Sequence, residues 1–503
     1  MIMSGDRIYA PSLYFYGFEL KNEGKPVETQ QIYQHGEKLL NQSHCGAPSG
    51  SVGARASGVL KSPPETPQNT SETTQENPNM LRFFYEMTPQ KSQSRFAHKI
   101  KIREKDYPVW GYANYQEIDQ SYGLWFNLHI PEREAGSGKL LEVPIEIFRE
   151  FSQNYPLIID RKHENNTEDN TEGNLENFIG QTLLVTSLLT PEQKLQAKTD
   201  QKYLKSLSDL VLSELLTAIE IKPSFKGEGR LLGSPVFEYG LTANVTTIPH
   251  ILIWFLVERQ IEQVYQKCQR EFFQLFFYSH QIVAVAVESE KKHDLIAEAY
   301  HNIHNQISQM ERIGFDKNGC SNQVLECLWN QFGNFPQLAL GYAELLRDLE
   351  TLQEAIAFSR DRYQQTLQRI ESLGIKDESS VKFLSRFIQK DAEICQKKLQ
   401  SHVNKFKPGQ FLLEQTISSM RGLIELAQLQ RRRRLETQLQ ALAAGLGMAG
   451  IIAASLLYII VPDRALIIPL INLSVHPFFA SVILSLAMGF GTFSSVYKYL
   501  SKP

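Results

Sequence analysis

The sequence predicts an α+β cytosolic domain followed by a long helical coiled-coil stalk and a C-terminal two-helix transmembrane hairpin. Three observations carry this expectation. Short aromatic-rich segments fill residues 1–247, helical periodicity takes over in 248–440, and two apolar runs close the chain at 441–461 and 477–497. No charged residue lies between Ala441 and Val461, and an uncharged run of about 20 residues is long enough to cross the ~30 Å hydrocarbon core of a bilayer.

Composition narrows the classes. At 503 residues and 42% hydrophobic content the chain can bury more than one core. A formal charge of −3 gives no sign of a nucleic-acid partner. The five cysteines are odd in number and lack CxxC spacing, which argues against a disulfide framework or zinc site and fits a reducing compartment. The opening MIMSGDRIYAPSLYF lacks a basic segment followed by an apolar one, so no signal peptide is expected and the body is placed in the cytosol. No phosphate loop, GxSxG elbow, HExxH helix or GxGxxG fingerprint occurs, so the chain is not read as an enzyme and no cofactor is evident.

Taken in order, residues 13–20 (LYFYGFEL) read as a strand. Residues 43–79 are rich in Ser, Gly, Pro, Thr, Asn and Gln, and such a stretch buries too little surface to offset its ordering entropy, so a disordered loop is expected. Strands are expected at 81–87, 99–103, 109–112, 122–130 and 157–160, with a helix at 142–151. Residues 161–174 form a polar, acidic loop, 179–189 lean to strand, 191–221 carry helical leucines, and 231–239 close the region as a strand. Strands in runs with few helices between them favour a largely antiparallel sheet.

From Ile251 the pattern reads as helical, with 251–314 expected as one or two long helices. Its stretch 272–287 (FFQLFFYSHQIVAVAV) is short for a membrane span and contains Gln274, His280 and Gln281, so a buried core helix is expected. Leu338, Tyr342, Leu345, Leu349, Leu352, Ile356, Ser359 and Tyr363 alternate steps of four and three, a heptad seam of coiled-coil type. A second stripe runs through Val381, Leu384, Ile388, Ala392, Cys395 and Leu399. Pro408-Gly409 reads as a break or kink, after which one unbroken helix is expected from about Phe411 to about Ile460 and into the bilayer, about 75 Å long.

The membrane segment carries its own signals. Arg431, Arg432, Arg433 and Arg434 precede the first span, while Lys498 and Lys502 sit in the tail 498–503. By the positive-inside rule both termini are cytoplasmic, and the arginines also suit anionic headgroups. The outer loop 462–476 holds prolines and His476, with an interfacial segment expected at 466–476. Ala441, Gly445, Ala449 and Ala453 recur every fourth residue in the first span, as do Ser481, Ser485 and Gly489 in the second; small residues on one face let helices pack closely in lipid. Elsewhere, Glu298, His301 and His304 place a carboxylate and two imidazoles within about one helical turn, where they could share a metal ion. Neither span carries Asp, Glu, Lys or Arg, which counts against a proton relay or an ion-coupled transporter.

This order of parts resembles the CorA-like two-transmembrane divalent cation channel superfamily: a cytosolic domain, paired helices, a long stalk helix continuing as the first span, a short outer loop and a basic C-terminus. The resemblance implies a homo-oligomeric channel with a divalent cation such as magnesium as transported ion. The family's Gly-Met-Asn signature is absent. The outer end of the first span reads Leu457-Tyr458-Ile459-Ile460-Val461-Pro462, and Gly447-Met448 is followed by Ala449. The other expectation is a membrane-anchored scaffold or sensor that binds a cytosolic protein partner.

Overall fold

The computed structural model describes residues 7–21, 30–44, 93–134, 136–155, 157–159, 177–200, 202–217, 223–240, 249–311, 322–373, 381–459, 466–468, 473–475 and 477–500. The chain divides into two compact units, Met1–Asp294 with Arg347–Val403, and Leu295–Leu346 with Asn404–Pro503.

The first unit is an α/β sheet domain. Its strands are β1 (Arg7–Leu20), β2 (Gln93–Ile102), β3 (Lys105–Ile118), β4 (Ser121–His129), β5 (Glu142–Pro144), β6 (Phe178–Leu188), β7 (Phe225–Leu231), β8 (Ser234–Tyr239) and β9 (His250–Leu256). They form one sheet in the order β2-β3-β4-β1-β6-β9-β8-β7, with β5 on β1. Every pairing is antiparallel except β6 with β9. The helices of the same region are α1 (Gln31–His44), α2 (Ile147–Asn154), α3 (Pro191–Thr199), α4 (Tyr203–Leu215) and α5 (Arg259–Lys267).

Side chains alternate between the faces of a strand, and in the central strands both sets are buried. On one face Leu13, Phe15, Leu183, Val185, Ile251 and Ile253 meet Ile32 and Leu39 of α1, Phe148 and Phe151 of α2, and Leu207 and Val211 of α4. On the other, Tyr14, Tyr16, Phe18 and Trp254 meet Tyr265 of α5 and Phe272, Phe273 and Phe276 of α6 (Gln269–Glu311). Each fully buried aromatic of this kind adds about 1.5–3 kcal/mol of transfer free energy. The stretch 272–287 is thus a core helix covering the sheet.

Several sequence expectations shift. Residues 250–256 (HILIWFL) are the buried strand β9 and not helix, so the helical pattern begins at α5. A short, uniformly apolar run cannot be told from buried helix by period alone. Residues 142–151 split into β5 and α2, 191–221 into α3 and α4, and 231–239 belong to the hairpin β7–β8. Residues 157–159 form no strand, and α1 is an element the sequence reading passed over. Residues 43–44 end α1, while 45–79, the strand expected at 81–87 and the loop 161–174 lie outside the described residues.

Three long helices follow: α6, α7 (Asn322–Leu373) and, beyond the short α8 (Lys382–Arg386) and a π-helical turn (Phe387–Asp391), α9 (Ala392–Ile459) of 68 residues. The seam on α7 is buried at Tyr342, Leu349, Ile356, Ser359 and Tyr363, and continues at Thr366, Leu367 and Ile370. The stripe from Val381 to Leu399 is buried at all six positions. Of the break or kink expected at Pro408-Gly409 the break does not occur, because α9 runs through both residues. The Tyr342 hydroxyl donates to the Phe406 carbonyl, two residues before the proline, at 2.6 Å. A Cβ at Gly409 would collide with that hydroxyl, so this glycine admits the tyrosine and does not end the helix. Past α9 two short strands, β10 (Leu466–Ile468) and β11 (Leu473–Val475), pair antiparallel within the segment 466–476, and α10 (Pro477–Leu500) extends beyond the span end expected at 497.

Trp254 is fully buried and its indole N–H donates to the Leu231 carbonyl at 3.2 Å. Replacing it with alanine is expected to lower the unfolding free energy by ~3–5 kcal/mol. Leu195→Ala, at a side chain 66% exposed, is expected to stay within ~0.5 kcal/mol of wild type. Denaturant titration followed by circular dichroism checks both, and equal effects would contradict the two-faced core.

Candidate functional site

Two places in the chain bring chemistry-bearing or unusual side chains together, one in each unit. In the second unit, α9 and α10 touch along their small residues. A Cβ added to Gly445 would lie 2.8 Å from the Gly489 carbonyl oxygen and 2.9 Å from Phe493 Cβ. One added to Gly489 would lie 2.8 Å from Ala449 Cβ. Ala441, Gly445, Ser481, Ser485 and Gly489 are buried, and Ala449 and Ala453 are half-buried. Beside this contact lies an apolar cavity of about 600 Å³ lined by Leu442, Leu446, Leu486 and Phe490. Leu442, Leu446, Ile451, Ile483 and Phe490 are exposed.

One helix among the described residues is long and apolar enough, by length and composition, to cross a membrane. Within Lys382–Ser455 an 18-residue window reaches a mean hydropathy of 1.3, and 11% of it is buried. Upstream of that apolar end, Arg431, Arg432 and Arg433 are exposed, and Arg432 lies 3.5 Å from Glu436 one turn on. Lys498 is exposed in the last turn of α10, and Lys502 lies outside the described residues. Glu298, His301 and His304 are exposed on α6, and among the described residues no group of three or more His, Cys, Asp or Glu could hold a metal ion.

The first unit contains a buried polar chain on the helix-covered face of the sheet. Thr182 of β6 and His250 of β9 are register partners in the parallel pair. The Thr182 hydroxyl lies 3.1 Å from His250 Nδ1 and 2.7 Å from His280 Nε2 on α6. On its far side His250 Nε2 lies 3.3 Å from Glu238 Oε1 of β8, and Glu238 Oε2 accepts from Arg386 of α8 at 3.2 Å. Lys226 of β7 pairs with Asp391 of the π turn at 3.0 Å. Thr182, His250, His280 and Glu238 are all buried.

Glycines make room for this assembly. A Cβ at Gly180 would strike His280 Nδ1, and one at Gly227 would strike the Arg386 guanidinium. Electrostatics follow from burial. Desolvation and the neighbouring His250 push His280 down to about 3, so it is neutral in the fold. Burial alone would raise Glu238, yet His250, Lys226 and Arg386 outweigh it and hold the carboxyl below its usual range.

The sequence reading noted His280 only as a polar interruption in an apolar helix. The other members are far apart in the chain and share no spacing motif. A histidine opening the uniformly apolar strand HILIWFL was the one available signal, since a buried histidine needs partners. Comparison of the chain with protein-family models, curated proteins and solved structures finds no match.

A histidine held neutral by burial destabilises the fold in acid, because the unfolded chain takes up a proton that the folded one refuses. The stability present above the ordinary histidine value is lost as pH falls from ~6.5 towards 3, at roughly 1 kcal/mol per pH unit for His280. His280→Gln cannot titrate and is expected to flatten that dependence by about one proton. Denaturation midpoints measured across this range test it, and an unchanged slope would be the contrary result.

Proposed function

We propose that the chain is an integral membrane protein whose sheet domain lies in the cytosol, and whose long helix α9 enters the bilayer as the first of two spans. The observation that carries this reading is the continuity of α9. It begins in the buried stripe at Ala392, Cys395 and Leu399 and ends in an uncharged segment with outward leucines and isoleucine. Apolar side chains exposed along an uncharged helix are disfavoured in water and suited to lipid. In the same reading α10, a 24-residue helix whose one charged residue is Lys498, is the second span, both termini are cytoplasmic, and the Gly445–Gly489 contact is lipid-type helix packing.

The function proposed first is a CorA-like channel or transporter for a divalent cation such as magnesium, assembled as a homo-oligomer. It is supported by the order of parts: sheet domain, two long helices, a third long helix with an apolar end, a short connection and a second apolar helix. The second reading is a membrane-anchored coiled-coil scaffold or sensor that binds a cytosolic protein. It is supported by the wholly apolar lining of the cavity beside the glycine contact, which suits an anchor more than a hydrated path.

Ion flux separates the two. Purified protein in liposomes loaded with a Mg²⁺-sensitive dye is expected to admit the ion at rates well above protein-free vesicles, whereas a flat trace would leave the scaffold reading. Gly445→Leu with Ala449→Leu is expected to dissociate the α9–α10 contact and lower the thermal midpoint in detergent. An unchanged melting profile would rule out that contact as a packing interface.

A further inference from the structure

Within the second unit α9 and α10 run side by side in opposite directions. Gly445 meets Phe493, and Gly489 meets Ala449, so four residues back along α9 match four residues forward along α10. That register brings the arginine end of α9 and the Lys498 end of α10 to the same end of the pair. From Leu442, which lines the cavity beside the glycine contact, Arg433 lies nine residues back, about 14 Å along the helix. From Phe493, on the facing wall, Lys498 lies five residues on, about 8 Å. Steps of three and four lead from Leu442 through the exposed Leu439 and Leu435 to Arg431 and Arg432, so these two arginines share the face of the cavity. On α10 a column of rings follows the same line, Phe490 to Phe493 at 6.3 Å and Phe493 to Tyr497 at 6.0 Å. It ends in a tyrosine, a ring that favours the level of the headgroups.

Every side chain lining the cavity is Leu, Ala or Phe, so it selects for apolar shape and offers no polar side chain. Its volume of about 600 Å³ lies within the ~300–1,000 Å³ of small-molecule sites. Leu446, Leu486 and Phe490 at its rim are exposed, so it opens outward from the helix pair as a groove. Charge separates the possible occupants. At the basic end Arg431, Arg432, Arg433 and Lys498 are exposed, and the one acid among them, Glu436, lies 3.5 Å from Arg432. A second copy in the same bilayer would bring an identical basic end to the same surface and add like charge. An anionic headgroup neutralises it, and the chain attached to that headgroup is flexible and wholly apolar.

We propose that the groove between α9 and α10 seats an acyl chain of an anionic phospholipid, whose phosphate is held at the end marked by Arg431, Arg432, Arg433 and Lys498. The site rests on the reading of α9 and α10 as membrane spans. The acyl chain covers the Gly445–Gly489 contact from the lipid side. The phosphate accepts hydrogen bonds from guanidinium groups, whose planar donors match its oxygens. Long basic side chains reach along the helix surface to meet it.

Native mass spectrometry of the full chain in detergent, offered phosphatidylglycerol, phosphatidylcholine with the same acyl chains, or glycerol phosphate, tests this. Wild type is expected to retain phosphatidylglycerol about tenfold over phosphatidylcholine, and not to retain glycerol phosphate, which has the charge without the chain. Arg431→Gln, Arg432→Gln, Arg433→Gln and Lys498→Gln together are expected to bring the two lipids within about twofold of each other. Ala487→Phe, at a lining position, fills the groove with every charge in place and is expected to lower bound phosphatidylglycerol by about tenfold. Equal retention of the two lipids by wild type, or undiminished phosphatidylglycerol on Ala487→Phe, overturns the proposal. So does an Ala487→Phe variant that loses subunits while keeping its lipid, since the groove then belongs to a second copy. Should that variant fail to fold, glycerol phosphate decides on wild type alone, because retention equal to that of the lipid means charge acts without the groove. Alkaline washing of vesicles carrying the protein separates the two levels. A chain that washes off overturns the membrane reading, while a chain that stays without lipid preference overturns the lipid site only.

Discussion

The constraint on which the sheet domain depends is that its central strands have no water on either face. β1, β6 and β9 are buried on both sides, so every polar atom they carry must find a partner within the protein. Most positions satisfy this by being apolar or aromatic. Where they do not, the partners arrive as a connected set: Tyr16 bonds Tyr265 at 2.6 Å, Trp254 bonds Leu231, and Thr182 bridges two histidines. A hydrogen-bonded set of this kind is costly to interrupt, since removing one member strands the next.

The same constraint shapes how the long helices are attached. α6 covers the sheet with phenylalanines, α7 presents its seam, and the short α8 with its π turn inserts an arginine and a phenylalanine over β7, where glycines 227 and 229 leave space. The root of α9 is thus bound by charge and by shape together. The far end of α9 has few contacts within the chain, and its exposed leucines contrast with the buried stripe at its start.

The parts of this architecture visible in the sequence are those with a long period. The seam on α7 and the stripe from Val381 to Leu399 repeat often enough for helical spacing to be unambiguous; the stripe is buried throughout and the seam at most of its positions, with Leu338, Leu345 and Leu352 half-buried. β9 reads as helix in the sequence because its six consecutive apolar residues carry no period, and α1 gives little signal because its apolar face rests on Ile32, Leu39 and Leu40. At Pro408-Gly409 the chain does not break, for a different reason. The composition rule for a break is sound locally, but α9 continues through both residues, and the glycine there makes room for Tyr342, whose hydroxyl caps the Phe406 carbonyl. The polar chain was invisible because its members come from five elements and meet only after the sheet has formed.

One consequence of the π turn at Phe387–Asp391 has to do with phase. The buried stripe across it steps by four twice in succession, from Leu384 to Ile388 to Ala392, which is the spacing a wider turn accommodates. A helix interrupted this way holds one surplus residue in reserve. Tightening that turn to ordinary α geometry would rotate everything beyond it by about 100° and shift it by about 1.5 Å along the axis. The π turn thus sets which face of α9 is presented beyond it, one residue out of phase with an uninterrupted α-helix.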